Sequence, residues 1–302
     1  MSAPGQSELS ICFLGCGNLG TAILSGLLAS SRDAQRETPR FSRITASVRS
    51  QDSVARLQGS FPHDVERLTV YQNQNVKAAS ESDVILLAVE PIEVEPVLTA
   101  PGLGQHLEGK LIISVAAGWT RQRLEALTGA GSGGNGSWVI RTLPNTAAVV
   151  HEGLTVIETP DADTPTKFMK LTKSIFDCVG KTIVLPPRLL DAATAVGGST
   201  PAFFSVICEA FIDASVAVGV PRDAAHEMIS QSMLGTARML QAGTHPALIK
   251  DKGTSPEGCT MSGLMVLEEA AVRGHVGRAL REAVTVARRM GRGEHVNDTR
   301  RE

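Results

Sequence analysis

Aromatic residues are scarce in this chain, and two catalytic patterns are absent. Only 4% of the 302 residues are aromatic, and the single tyrosine, Tyr71, has no lysine four positions after it. This excludes the Tyr-x-x-x-Lys pair of short-chain carbonyl reductases. No G-x-S-x-G sequence is present either, so a nucleophile elbow for hydrolysis is excluded. Two large enzyme classes therefore lack their required groups here.

The cysteines and histidines form no metal-binding or redox pattern. The five cysteines contain no C-x-x-C pair, and the seven histidines show no H-x-x-x-H or H-E-x-x-H spacing. We therefore expect no metal site. We also expect reduced, buried thiols, which are typical of a cytoplasmic protein.

Charge and hydropathy give no sign of a nucleic-acid or membrane partner. The formal net charge of −2 at pH 7 offers no attraction for polyanions. The first ten residues lack the basic and apolar series of a secretory signal. The longest apolar segment, residues 202–220, is interrupted by Glu209 and Asp213, which favours a core or interface helix over a membrane span. The sequence predicts a small-molecule ligand, no nucleic acid and no membrane.

The chain does contain a glycine-rich turn between a strand and a helix. Residues 9–14 form an apolar run of strand length, and apolar residues then recur every fourth position over residues 19–27. Gly15, Gly17 and Gly20 stand in the spacing G-x-G-x-x-G, which allows a tight turn, close approach of a pyrophosphate and close helix–strand packing. Free N–H groups at the helix start bind such an anion. This stretch predicts a dinucleotide-binding turn.

The end of the second predicted strand, residues 44–48, bears on the choice of cofactor. Enzymes that prefer NAD usually have an acidic residue there for the ribose 2′-hydroxyl, whereas an arginine accommodates the 2′-phosphate of NADP. Here Arg49 and Ser50 follow the strand, and no acid precedes Asp52. The pattern favours NADPH, with NADH as the second candidate. The alternative is that Arg49 is a solvated loop charge.

Strands and helices alternate through the first part of the chain, and only helices follow. Further strands are predicted at residues 68–71, 83–91, 111–115, 138–143, 154–157 and 182–185, and helices at 76–82, 120–127 and 167–178. This alternation predicts a mostly parallel sheet. From residue 189 to 290, apolar positions recur at helical spacing. We therefore predict an α/β Rossmann dinucleotide-binding domain over residues 1–186 and an all-α helical dimerisation domain over residues 187–302.

The first long helix of the second domain has the features of an interface. Ser199 followed by Pro201 predicts an N-cap with proline in the first turn, and Gly219 predicts the end of the helix. The helix lacks a clear polar face, so one copy of the domain would leave much apolar surface exposed. The sequence predicts a homodimer or a higher homo-oligomer with this helix at the interface.

A second distinctive stretch runs over residues 251–269. Residues 254–258 predict a tight turn, after which Thr260 can cap a helix. Such a turn directs backbone N–H groups at one point and can bind a carboxylate, although an ordinary capped helix is the alternative. The chain offers no strong general acid. Hydride addition to a protonated cyclic imine suits such a site, because it leaves no alkoxide to stabilise.

Taken in order, these residues resemble the pyrroline-5-carboxylate reductase family, over residues 11–290. The motifs that carry the resemblance are residues 15–20, 141–146, 191–204, 209–225 and 254–269. The last is similar to the family's T-S-P-G-G-x-T signature, and residues 48–50 resemble fungal members. The resemblance implies NADPH-dependent reduction of 1-pyrroline-5-carboxylate to L-proline, the final step of proline biosynthesis.

The resemblance also assigns roles to single residues. It places Thr260 in the catalytic site and the substrate against Ser255, Gly258, Cys259 and Thr260. It implies cofactor contacts at Gly15, Gly17, Asn18, Leu19, Gly20, Arg49, Ser50, Asn75, Ala88, Val89, Pro91, Ala116 and Ala117.

Three positions depart from the family pattern. Glu90 stands where the family commonly has the lysine of A-V-K-P, Thr200 replaces the second glycine of G-S-G-P, and Glu257 replaces the first glycine of S-P-G-G. Glu257 leaves open a related reductase that acts on another cyclic imino acid. From a different class, a catalytically weak NADP-binding sensor remains the alternative.

Overall fold

Strands and helices alternate up to residue 185, and the chain is helical after it. The computed structural model describes residues 9–30, 41–129 and 136–291. The strands are β1 (Leu9–Leu14), β2 (Phe41–Val48), β3 (Leu68–Gln72), β4 (Val84–Leu87), β5 (Leu111–Ser114), β6 (Trp138–Pro144), β7 (Gly153–Glu158) and β8 (Gly180–Leu185). The α-helices are α1 (Asn18–Ser30), α2 (Gln51–Ser60), α3 (Asn75–Ser80), α4 (Val94–Leu98), α5 (Arg121–Thr128), α6 (Thr166–Asp177), α7 (Leu190–Ala193), α8 (Thr200–Ala217), α9 (Arg222–Gln241), α10 (Pro246–Lys252), α11 (Cys259–Glu269) and α12 (Val272–Gly291).

The strands form one sheet in the order β3-β2-β1-β4-β5-β6-β7-β8. Neighbouring strands are parallel, except for the antiparallel pair β6 and β7. This confirms the predicted mostly parallel sheet. The strand order reverses between β1 and β4, and in open α/β sheets ligands bind at the carboxyl ends of the strands beside such a reversal.

Both faces of β1 are covered by helices. Ile11 and Phe13 lie in the core on the side of α1 and α6, whereas Cys12 and Leu14 lie in the core on the side of α3 and α4. Successive side chains of a strand point to opposite faces, so a strand buried on both sides has a continuous apolar sequence. The core therefore fixes the end of β1, where the glycine turn begins.

Some predicted boundaries were wrong. β2 begins at Phe41 rather than at residue 44, and β4 covers Val84–Leu87 rather than residues 83–91. After Ala88 the chain leaves the sheet and enters a 3₁₀ turn at Pro91–Glu93. Helix α2 was not predicted, because only Val54 and Leu57 of its ten residues are buried and its apolar periodicity is weak.

The chain divides into two compact units, Met1–Gly198 with Val284–Glu302, and Ser199–Ala283. The first extends beyond the predicted boundary at residue 186, because Leu190 and Ala193 of α7 lie in a core cluster with Leu143 and Val156. The compact units divide after Gly198, and a domain boundary at residue 186 stays a prediction.

Ser199 does not cap α8 as predicted. Its backbone is helical (φ −90°, ψ −25°) and its side chain makes no cap hydrogen bond. A π-helix, Thr194–Ser199, runs directly into α8, so Gly197 and Gly198 do not interrupt the helix. Asn145 Nδ2 donates a 2.9 Å hydrogen bond to Gly197 O. The predicted end is confirmed, since Gly219 follows α8 in a left-handed conformation (φ +94°).

Helix α8 is apolar and none of its residues is buried. Beside it lies a groove of about 530 Å³, lined by residues of α8 and α9 that include Phe204, Phe211, Met233 and Leu240. By length and composition alone, the helical segment Pro187–Ala217 could also cross a membrane. The absence of a membrane partner therefore stays a prediction. An exposed apolar surface of this size is typical of an interaction site.

Candidate active site

The three glycines of the turn after β1 have different surroundings. Gly15 has φ +79°, and a Cβ there would lie 2.6 Å from Val89 Cγ1 and 2.8 Å from Ala88 O. A Cβ on Gly20 would lie 3.2 Å from Ala88 Cβ, whereas one on Gly17 would meet no atom within 4 Å. The packing and the backbone conformation require glycine at the first position, and at the third a side chain would be tightly packed against Ala88. The second faces open space, which leaves room for a ligand against the backbone.

The same turn is suited to an anion. Helix α1 begins at Asn18, and its first turn has no acidic residue. Gly17 is exposed, and within the described part of the chain its N–H has no hydrogen-bond acceptor. Helix N-termini carry partial positive charge and free N–H groups. These residues therefore fit the pyrophosphate of a dinucleotide.

The structure brings the predicted cofactor residues together at one edge of the sheet. The parallel strands β1 to β5 end at this edge, because their carboxyl ends point the same way. The residues that follow these strands are Gly15, Gly17, Asn18, Leu19, Gly20, Arg49, Ser50, Asn75, Ala88, Val89, Pro91, Ala116 and Ala117. Their contacts with a cofactor stay predictions.

A buried hydroxyl fixes the amide of Asn75. Ser47 Oγ donates a 2.7 Å hydrogen bond to Asn75 Oδ1, and Ser47 is 1% exposed. Because the amide oxygen is engaged, the Nδ2 group remains available as a donor. Sequence reasoning missed Ser47, since a serine inside a strand gives no signal of its partner.

Arg49 and Ser50 follow β2 and have different surroundings. The Arg49 side chain is 81% exposed and its Nη1 lies 3.1 Å from Glu93 Oε1. Exposed ion pairs contribute about 0–1 kcal/mol, so a phosphate can displace Glu93. Ser50 Oγ accepts a hydrogen bond from Ser53 N (3.2 Å) and caps α2. Arg49 is therefore the more available of the two for a phosphate.

A cleft of about 740 Å³ opens beside the ends of β4 and β5, with Pro91 and Ala117 among its lining residues. Trp119 Nε1 donates a 2.7 Å hydrogen bond to Pro91 O. The Arg123 guanidinium lies 4.1 Å from the centre of the Trp119 ring. Trp119, which sequence reasoning missed, thus joins the segments after the two strands and keeps this edge of the first unit fixed.

In the second unit, residues 255–258 form the predicted tight turn. Gly258 N donates a 3.1 Å hydrogen bond to Ser255 O. Glu257 has φ +58°, a left-handed conformation that suits glycine. A Cβ on Gly258 would lie 2.5 Å from Ser255 Oγ and 3.0 Å from Ser255 O, so a larger residue here would displace the Ser255 hydroxyl.

Thr260 is not the cap of the helix that follows. Gly258 is the N-cap, and α11 begins at Cys259, so Thr260 lies in the first helical turn. Both Cys259 and Thr260 are exposed. The first N–H groups of a helix have no acceptor inside it, so they can bind a carboxylate. The turn places the four predicted substrate residues together, and their contacts stay predictions.

Two cysteines beside the glycine turn are not reactive groups. Burial raises the pKa of Cys12 to about 12 and that of Cys16 to about 11. The thiolate is the reactive form of cysteine, so these thiols are inert near neutral pH. Over residues 9–30, 41–129 and 136–291, no group of three His, Cys, Asp or Glu side chains could hold a metal ion.

Relatives of this chain match it over nearly its whole length. A protein of Lophium arboricola named pyrroline-5-carboxylate reductase is 40% identical, with 99% of each chain covered. One of Neurospora crassa with the same name is 40% identical and covers 99% of this chain and 100% of its own. The chain belongs to the pyrroline-5-carboxylate reductase family.

Family models and a solved structure agree with this membership. Residues 187–290 match the model for pyrroline-5-carboxylate reductase dimerisation, and residues 10–118 match that for NADP oxidoreductase, coenzyme F420-dependent. A crystal structure of Plasmodium falciparum pyrroline carboxylate reductase with NADP bound has a TM-score of 0.78 at 25% identity, over 95% of this chain and 100% of that one. The predicted family and the predicted fold class are confirmed.

Within the pyrroline-5-carboxylate reductase family, the three departures take different forms. Glu257 occupies a left-handed position (φ +58°) where the family has glycine. Thr200 is the first residue of α8 and continues the helix. Glu90 is exposed directly before Pro91 at the cofactor edge. Only Glu257 and Glu90 therefore add a negative side chain beside a predicted ligand site.

Proposed function

We propose that this chain is an NADPH-dependent reductase that converts the cyclic imine 1-pyrroline-5-carboxylate to L-proline, the final step of proline biosynthesis. The observation that carries the proposal is the open backbone at Gly17, at the sheet edge where Arg49 also lies. The relatives named above support the choice of substrate.

The proposed mechanism relies on binding and orientation. The glycine turn and the start of α1 hold the pyrophosphate, and Arg49 holds the 2′-phosphate. NADPH supplies the hydride. The N–H groups of Gly258, Cys259 and Thr260 hold the substrate carboxylate. The Thr260 hydroxyl forms a hydrogen bond with the ring nitrogen of the substrate. The ring nitrogen of the imine is already protonated. When hydride adds to the carbon of the C=N bond, the π electron pair of that bond moves to the nitrogen and gives a neutral amine, so no general acid is needed.

We further propose that the protein works as a cytoplasmic homodimer or larger homo-oligomer. The exposed apolar groove between α8 and α9 supports a second copy as its cover, as does the match of residues 187–290 to a dimerisation model. A small-molecule substrate accounts for the site without nucleic acid or membrane.

One assay separates the candidate functions. NADPH oxidation is measured with pyrroline-5-carboxylate and with cyclic imino acids of other ring sizes. Highest kcat/KM with pyrroline-5-carboxylate supports the proposal, and preference for another ring supports the related imine reductase that Glu257 leaves open. NADP binding without turnover of any imine supports a sensor.

Replacing Arg49 by alanine should remove most of the preference for NADPH over NADH. A guanidinium–phosphate hydrogen bond contributes about 1.5–3 kcal/mol, which corresponds to a preference of about 10- to 150-fold. The ratio of kcat/KM values for the two cofactors measures it. Glu93→Gln is the matched control, because it removes the ion-pair partner and leaves Arg49 in place. Equal use of both cofactors by the unmodified protein would contradict the assignment.

A further inference from the structure

Two hydrogen bonds from Arg56 of α2 reach the glycine turn and α1, and a third joins α1 to the turn. Arg56 Nη2 donates to Cys16 O (2.6 Å), and Arg56 Nη1 donates to Thr21 Oγ1 (3.0 Å). Thr21 Oγ1 in turn donates to Cys16 O (3.2 Å). The three groups form a closed ring around the carbonyl of the residue between Gly15 and Gly17.

This ring fixes one peptide unit of the turn. The described chain has no cis peptide bond, and in a trans peptide the C=O and N–H groups point in opposite directions. A Cys16 carbonyl held toward α2 therefore turns the Gly17 N–H away from α2. Gly17 is exposed and its N–H has no acceptor among the described residues. On the other side of the turn, Gly15 N donates to Ser47 O (2.9 Å).

The surroundings of Arg56 differ from those of Arg49. Arg56 is exposed, and no described carboxylate lies within ion-pair distance of it, whereas Arg49 is paired with Glu93. A guanidinium has five N–H donors, and the ring uses two groups of Arg56. Among the residues that the structure describes, the Arg56 side chain thus belongs neither to an ion pair nor to the apolar core, and its hydrogen bonds go to the glycine turn and to α1.

We propose that Arg56, together with Thr21, is a positioning residue for the dinucleotide. It holds the Cys16–Gly17 peptide so that the Gly17 N–H is presented to the pyrophosphate. This inference rests on the proposed function. NADPH and NADH both contain the pyrophosphate, so loss of Arg56 weakens the binding of both cofactors equally. Loss of Arg49, in contrast, weakens the binding of NADPH alone.

The test measures dissociation constants of NADPH and NADH by calorimetry, without an imine. For Arg56→Ala we expect both constants to rise by about tenfold, with their ratio unchanged. In turnover assays, KM for NADPH rises similarly while kcat at saturating cofactor is retained. Arg56→Lys keeps the charge but has one donor group for two acceptors, so its dissociation constants should lie between those of the wild type and of Arg56→Ala. Thr21→Val removes the Thr21 hydroxyl from the ring without changing the charge. It should also weaken the binding of both cofactors equally.

The matched control is Arg43→Ala, which removes the same charge near the other end of β2, where Arg43 pairs with Glu81 at 3.5 Å. It should leave both dissociation constants unchanged. A loss confined to NADPH in Arg56→Ala would make Arg56 a 2′-phosphate ligand and overturn the proposal. Unchanged dissociation constants together with a lowered melting temperature in Arg56→Ala would show that Arg56 makes a structural contact only, which would also overturn the proposal. No binding of either dinucleotide by the unmodified protein would instead overturn the proposed function.

Discussion

Replacing Ala210 by arginine is expected to abolish assembly of the protein and its activity with it. Ala210 is exposed in the middle of α8, a helix with no buried residue, and the next residue, Phe211, lines the apolar groove of α8 and α9. If a second copy covers this face, the substitution buries an unpaired charge, which costs about 3–5 kcal/mol. Two-fold symmetry introduces that charge once from each copy. Ala214→Arg, one turn further along, should have the same effect.

Sedimentation and activity measured on one sample check this expectation. Gln58→Arg is the matched control, because it adds the same side chain at an exposed position of α2 in the other unit. It should leave assembly and kcat/KM as they are. An intact Ala210→Arg oligomer would contradict the assigned interface, and a fully active monomer of the unmodified protein would contradict the expected assembly.

Replacing Thr260 by alanine should lower kcat/KM by about 5- to 150-fold, because one oriented hydrogen bond contributes about 1–3 kcal/mol. Thr260→Ser keeps the hydroxyl and should retain most activity. The structure sharpens this expectation, since Gly258 rather than Thr260 caps α11. A lost cap would cost stability of about 1 kcal/mol, and here no such loss is expected.

Kinetics and melting temperatures of both variants separate a substrate contact from a structural one. Ser262→Ala removes a hydroxyl from the same helical turn and serves as the control. Unaltered kcat/KM in a destabilised Thr260→Ala protein would reject the assignment to substrate.

The elements that sequence predicted well are those whose cause is local. The glycine turn could be placed because strand, turn and helix each have their own signal within residues 9–30. Helix α2 has no such signal, since its stability depends on Ser50 as a cap and on only two buried side chains. The predicted cap at Ser199 was wrong because a π-helix carries the chain through Gly197 and Gly198.

The candidate site divides in the same way. Residues after parallel strands could be predicted, because topology alone brings strand ends to one edge. The bond from Arg56 to Cys16 joins residues 40 positions apart and depends on a helix that the sequence did not reveal. Thr260 was misplaced by two positions as a cap, because the backbone at Glu257 is left-handed and the turn closes at Gly258.

The π-helix Thr194–Ser199 is also connected to the sheet of the first unit. The hydrogen bonds of a π-helix close a wider turn than those of an α-helix. Asn145 Nδ2 donates to Gly197 O in this wider turn, and Asn145 Oδ1 accepts a 3.1 Å hydrogen bond from Leu154 N in β7. A single amide side chain therefore couples the helical register of residues 194–198 to the position of β7, so that a shift in one would break the hydrogen bond to the other.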